Sequence, residues 1–181
     1  MLDKGMSRRQ LLLGTGCLLT AGLLPQSALA SRSTSHRALT VHNLNTGEQI
    51  EASYWENGRY LQDGLEELNH IFRDYRRNEV FAIDRKLFDQ LYLLQHKLGR
   101  KGRIELISGY RSPATNRQKQ RRSRGGAKRS YHMLGQAVDV RMPGVPLAHL
   151  RQAALQLRVG GVGYYPGDNF VHLDTGPVRH W

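Results

Sequence analysis

The stretch GVGYYPGDNFVHLD, residues 161–174, reads as two short strands, Gly161–Tyr165 and Phe170–Asp174, joined by a link of hairpin length. Side chains alternate faces along a strand. Val171 and Leu173 therefore belong to a core, and His172 and Asp174 to the opposite face. Residues Ala137–Val140 repeat the pattern: Val138 and Val140 inward, Asp139 outward, small Ala137 beside it. If these strands are neighbours, Asp139 and His172 converge, and a turn at Gly135 swings His132 over the same point. Helical segments come first and short strands cluster late. The fold expected is α+β: a small single domain with an antiparallel sheet flanked by helices.

Working outward, Pro146–Arg158 has Leu147, Leu150, Ala154 and Leu157 at helical spacing, and Gly160 closes it. Arg103–Ser108 alternates like a strand. Ser112-Pro113 has the form of a cap and first residue of a short helix, and residues 117–130 read as a basic loop. Further upstream, Asp84 is a candidate N-cap for a helix carrying Leu87, Leu91, Leu94 and Leu98, with Gly99 at its end. Residues 62–78 read as another helix, with Leu65, Leu68, Phe72 and Tyr75 on one face. Leu39 and Val41, a turn at Asn45-Thr46-Gly47, and Ile50–Trp55 read as a pair of strands.

The first thirty residues read as an address. Ser7-Arg8-Arg9 precedes an apolar run from Leu11 to Leu24, and Ala28-Leu29-Ala30 forms a cleavage site. The run is too short to span a bilayer comfortably, and the paired arginines fit twin-arginine export. The expected organisation is a signal peptide over 1–30 and one domain over 31–181, with no stable membrane insertion after cleavage. Cys17, the one cysteine, falls in the discarded segment. The 181-residue chain carries a formal charge of +12, which suits an anionic partner. Export argues against nucleic acid, and the basic stretch Arg117–Arg129 lacks the interleaved aromatics that stack on bases.

Two imidazoles and one carboxylate, His132, His172 and Asp139, form a plausible His₂Asp zinc set with a fourth position open for water. The remaining six histidines show no spacing of the HExxH kind. From spacing alone, exposed His and Asp on a strand are common without a metal.

The motifs around these residues resemble a known superfamily. Ser108-Gly109-Tyr110-Arg111-Ser112 with Thr115-Asn116, and Ser130-x-His132-x-x-Gly135-x-Ala137-x-Asp139, are similar to signatures of the zinc D,D-carboxypeptidase and murein endopeptidase superfamily. Residues 160–181 resemble the C-terminal block of its periplasmic MepK-like (YcbK-like) branch. The resemblance covers essentially the whole chain. It implies a hedgehog/D,D-peptidase-like fold, with zinc on His132, Asp139 and His172. It also implies that Arg111 sits near the substrate, serving either a carboxylate or the developing oxyanion. The implied substrate is the peptidoglycan stem peptide, 3–3 diaminopimelate cross-links in particular, cut in the periplasm by a monomer.

One departure stands out. Several superfamily members carry a Glu three residues before the last ligand, or a His two before it, as catalytic base; here those positions hold Asn169 and Phe170. Asp174 is the first candidate to replace them, as base or as a carboxylate orienting a ligand. Asp168 and His180 come next. Two other readings stand beside the endopeptidase: a D-Ala carboxypeptidase, and a non-catalytic zinc-containing module that binds peptidoglycan.

Overall fold

The computed structural model describes residues 36–99, 102–122 and 130–181; the expected signal segment lies outside them. Strands β1 (His36–Asn43), β2 (Gln49–Glu56) and β3 (Arg59–Tyr60) lead into helices α1 (Gln62–Ile71) and α2 (Arg85–Lys97). Then come β4 (Ile104–Ser108), α3 (Pro113–Arg122), a 3₁₀ turn (Tyr131–Leu134), β5 (Ala137–Arg141) and α4 (Leu147–Leu157). The chain closes with β6 (Gly161–Tyr165), β7 (Phe170–Asp174) and β8 (Arg179–His180). Among the described residues, the eight strands form one sheet in the order β3-β2-β1-β4-β5-β7-β6-β8.

The α+β class holds, but the expectation of an antiparallel sheet needs correction. The sheet is mixed: β1 pairs with β4 in parallel, and β6 with β8. Hairpin-length links reveal only neighbours in sequence, whereas a parallel pair needs a long crossover. Here β2, β3, α1 and α2 make the crossover between β1 and β4.

One face of the sheet holds the core. Leu39, Val41, Ile104, Leu106, Val138, Val140, Val171 and Leu173 cluster with Leu65, Leu68, Leu87, Leu91 and Leu94, and with Leu150 from α4. Removing this apolar surface from water is the main stabilising contribution to the fold. Asp84 caps α2 as expected, accepting from the Lys86 amide at 3.1 Å. It also accepts from Thr175 Oγ1 at 2.8 Å, tying α2 to the segment after β7.

Two segments depart from the expected boundaries. α1 stops at Ile71 rather than running to residue 78. The Asp74 amide donates to the Glu79 carbonyl, Asn78 takes a left-handed φ of 51°, and the Tyr110 amide claims the Phe72 carbonyl at 2.7 Å. The apolar period thus runs past the point where the backbone turns away. In the second case, part of the expected loop at 117–130 is helix, since α3 extends to Arg122. α3 has no apolar stripe to signal it. It rests on its N-terminal Ser112 and Pro113 and on Ala, Gln, Lys and Arg, which favour helix. Among the described residues, no helix is long and apolar enough to cross a membrane.

Candidate metal centre

The face opposite the core carries the polar cluster. β5 and β7 pair antiparallel with Asp139 directly across from His172, and His172 lies across from Gly163 on its other side. Alternation then sets Asp139, His172 and Asp174 away from the apolar layer. His132 arrives from the 3₁₀ turn, which ends at Gly135 in the left-handed region at φ 65°. A side chain at Gly135 would also collide with the Ala82 carbonyl, 2.5 Å from its Cβ position. Glycine there lets the turn fold back against the 81–83 segment and hold His132 over the sheet.

His132, Asp139 and His172 are all buried, and one potential ligand atom from each lies within 4.8 Å of the others. The hydrogen-bond partners identify those atoms. His132 Nδ1 donates to the Gly109 carbonyl at 2.8 Å, so its Nε2 faces Asp139 Oδ1 at 3.3 Å. His172 Nε2 donates to Asp174 Oδ2 at 3.1 Å, so its Nδ1 faces the same Asp139 oxygen at 2.8 Å. Each imidazole is thus held by its far nitrogen and offers the near one, an arrangement common to metal-ligating histidines.

The electrostatics agree. Burial holds the His132 imidazole below its ordinary pKa, against the attraction of Asp139. Burial alone would raise the Asp139 carboxyl, but His132 and His172 more than reverse this and hold it well below the carboxylate range. Burial opposes charge on His172 as well, yet Asp139 and Asp174 raise its pKa overall. Lone pairs and a carboxylate meeting at one point call for positive charge between them. A proton on His172 answers this in part; a divalent ion answers it fully. The donor set therefore fits zinc.

Asp174, proposed from the sequence as a base or an orienting carboxylate, has no exposed surface. Besides His172, it accepts from the amides of Gly161 at 3.1 Å and Gly176 at 2.9 Å. Arg179 grips both its oxygens, at 3.0 and 2.7 Å. Burial works to raise its pKa, but these donors hold it well below the usual range. A carboxylate so occupied is suited to orienting His172 and poorly suited to accepting a proton. Asp168 and His180 are exposed and stand outside the three-residue cluster. Asn169, at the expected position of a base, takes φ 56° and closes the β6–β7 turn on the Pro166 carbonyl. Asn tolerates that conformation better than most residues.

The segment 108–112 acts as a brace. Its Gly109 carbonyl holds His132, and the Arg111 amide donates to the His132 carbonyl at 3.1 Å. The Ser112 amide and hydroxyl donate to buried Asp74 at 3.0 and 2.7 Å. A Cβ at Gly109 would lie 2.3 Å from the Phe72 carbonyl oxygen, so only glycine permits this approach. Arg111 is 8% exposed; its guanidinium donates to Asn116 Oδ1 at 3.4 Å and to Ser108 Oγ at 3.5 Å, and the charges of Asp139 and Asp74 attract it. It lines a cleft beside Asp139.

Three features escaped the sequence reading. Arg179 lies on a two-residue strand with no periodic signal; its position five residues after Asp174 was the available hint. Trp181 packs on His172 with ring centroids 5.4 Å apart, and Gly163 leaves the room for it. Asp74 falls where a helix was expected.

Residues 31–181 match the family model described as Peptidoglycan L,D-endopeptidase MepK. The chain is 53% identical over 176 residues to the peptidoglycan L,D-endopeptidase MepK of Escherichia coli strain K12, covering 97% of each chain. It is 47% identical to the probable peptidoglycan L,D-endopeptidase MepK of Haemophilus influenzae, covering 96% of this chain and 94% of the relative. No solved structure matches the chain.

Proposed function

The chain belongs to the peptidoglycan L,D-endopeptidase MepK family, and from that premise we propose that it is a zinc-dependent endopeptidase acting on peptidoglycan cross-links. The preferred bond is the 3–3 link between two diaminopimelate residues. The observation that carries this reading is the convergence of His132 Nε2, Asp139 Oδ1 and His172 Nδ1 on one buried point beside an open cleft.

These three residues would hold the zinc. When bound, zinc supplies Lewis acidity, polarising a peptide carbonyl and lowering the pKa of water. Gly109 and Asp174 fix the two imidazoles so that neutral nitrogens face the metal. Arg111 presents its guanidinium to the cleft, where it binds a substrate carboxylate or the oxygen that gains negative charge as the amide is attacked. Asp174 serves as the carboxylate that positions His172. The proton-transfer role then falls to Asp168 or His180. Residues 1–30 are read as a twin-arginine-type signal, and residues 31–181 as a periplasmic monomer that takes peptidoglycan stem peptides as its partner.

The test is a digest of sacculi containing both 4–3 and 3–3 cross-links, with and without a chelator, read by mass spectrometry. Chelator-sensitive loss of 3–3 dimers is the expected result. Loss of terminal D-Ala with dimers intact would identify a carboxypeptidase. Zinc binding with no new muropeptide would leave the non-catalytic module, the reading favoured by Asn169 and Phe170 where relatives of the superfamily carry a base.

A further inference from the structure

Beside the three-residue cluster lies a cleft of about 310 Å³ lined by Arg76, Arg111, Lys119, Ile107, Phe170 and Asp139, among others. Asp139 is the acid among the described lining residues, and its charge is already engaged by His132 and His172. Two guanidiniums and an ammonium therefore face one cleft. Desolvation and the charge of Arg111 lower the Lys119 pKa, with Arg76 adding in the same sense and Asp139 and Asp168 opposing. A cleft lined in this way attracts an anionic ligand group.

We propose that Arg76 and Lys119, with Arg111, form a subsite that selects the free side-chain carboxylate of the diaminopimelate residue on the donor side of the scissile amide. This rests on the endopeptidase reading above. The cleft walls are built for it. Buried Asp74 accepts from the Arg76 amide at 3.2 Å and, through its other oxygen, from the Ser112 amide and hydroxyl. One carboxylate thereby pins the turn that bears Arg76 to the start of the helix that bears Lys119. The Arg76 guanidinium further rests on the Tyr75 ring, 4.2 Å from its centroid.

The chemistry of the cross-links gives this subsite a purpose. In a 3–3 link, each diaminopimelate retains a carboxylate on its side-chain centre. In a 4–3 link the donor is D-alanine, which has none. A cationic subsite on the flanking residue distinguishes the two donors, because a site built for a charged group rejects the analogue lacking it.

The experiment measures, by calorimetry on the zinc-loaded protein, binding of the L-Ala-γ-D-Glu-diaminopimelate tripeptide with its side-chain carboxylate free or amidated. Wild type should bind the free form about tenfold or more tightly, and the ratio should collapse towards one in the Arg76→Gln/Lys119→Gln double variant. Zinc content and melting temperature of the variant verify the fold. On 3–3 dimers the variant should raise KM more than it lowers kcat. Equal binding of the two tripeptides by wild type, or an undiminished ratio in the double variant, would overturn the proposal. Tripeptide binding needs no turnover, so a wild type that cuts no sacculus refutes the endopeptidase reading while calorimetry still decides the subsite.

Discussion

At the scale of single residues, the cluster makes separable predictions. His132→Ala, Asp139→Ala and His172→Ala should each abolish stoichiometric zinc binding, measured by metal analysis after dialysis, together with cross-link hydrolysis. Asp174→Asn discriminates between two roles. As a positioning carboxylate, its loss should weaken zinc affinity about ten- to a hundredfold, with turnover recovering as zinc is added. A base would instead leave zinc in place and turnover absent at any zinc concentration. The clustering of the three residues was legible because strand alternation places Asp139 and His172 on one face and the motif adds His132. The Arg179 grip on Asp174 was not, since it depends on how the 175–178 turn folds back, and no periodicity encodes that.

At the scale of elements, the brace at 108–112 links the candidate metal centre to the core. Gly109→Ala must push the Phe72 carbonyl away and displace the carbonyl that holds His132. A loss of about 1–3 kcal/mol in stability is expected from urea melts, along with weaker zinc binding. The Ser112 hydroxyl also accepts from the Thr115 amide at 3.2 Å, capping α3. Ser112→Ala should cost about 0.5–2 kcal/mol. Helix α2 was readable almost to the residue from Asp84 to Gly99, because cap, stripe and terminal glycine agree. α1 was not: Phe72 and Tyr75 continue its apolar spacing, while Asp74, whose side chain is needed elsewhere, turns the chain.

At the scale of the whole molecule, acid should unfold the protein through its buried carboxylates. Burial raises the Asp74 pKa, but hydrogen bonds from Thr115 and Ser112 outweigh it and leave the group lowered. A depressed folded pKa contributes stability that is complete above the unfolded value, about 3.9, and is lost as pH falls through the folded value. Thermal melts of metal-stripped protein should thus decline below about pH 4, less steeply in Ser112→Ala. The sheet order lay beyond sequence reading because the β1–β4 pairing joins strands whose separation no local turn reports. That order also bears on biosynthesis. His132 and Asp139 leave the ribosome before His172, and β7 must then insert between β5 and β6 to deliver it. A nascent chain released only to residue 160 holds two of the three ligand residues and none of the strand that orients the third. On the zinc reading proposed above, arrested chains ending before β7 should retain no zinc through gel filtration, whereas complete chains should.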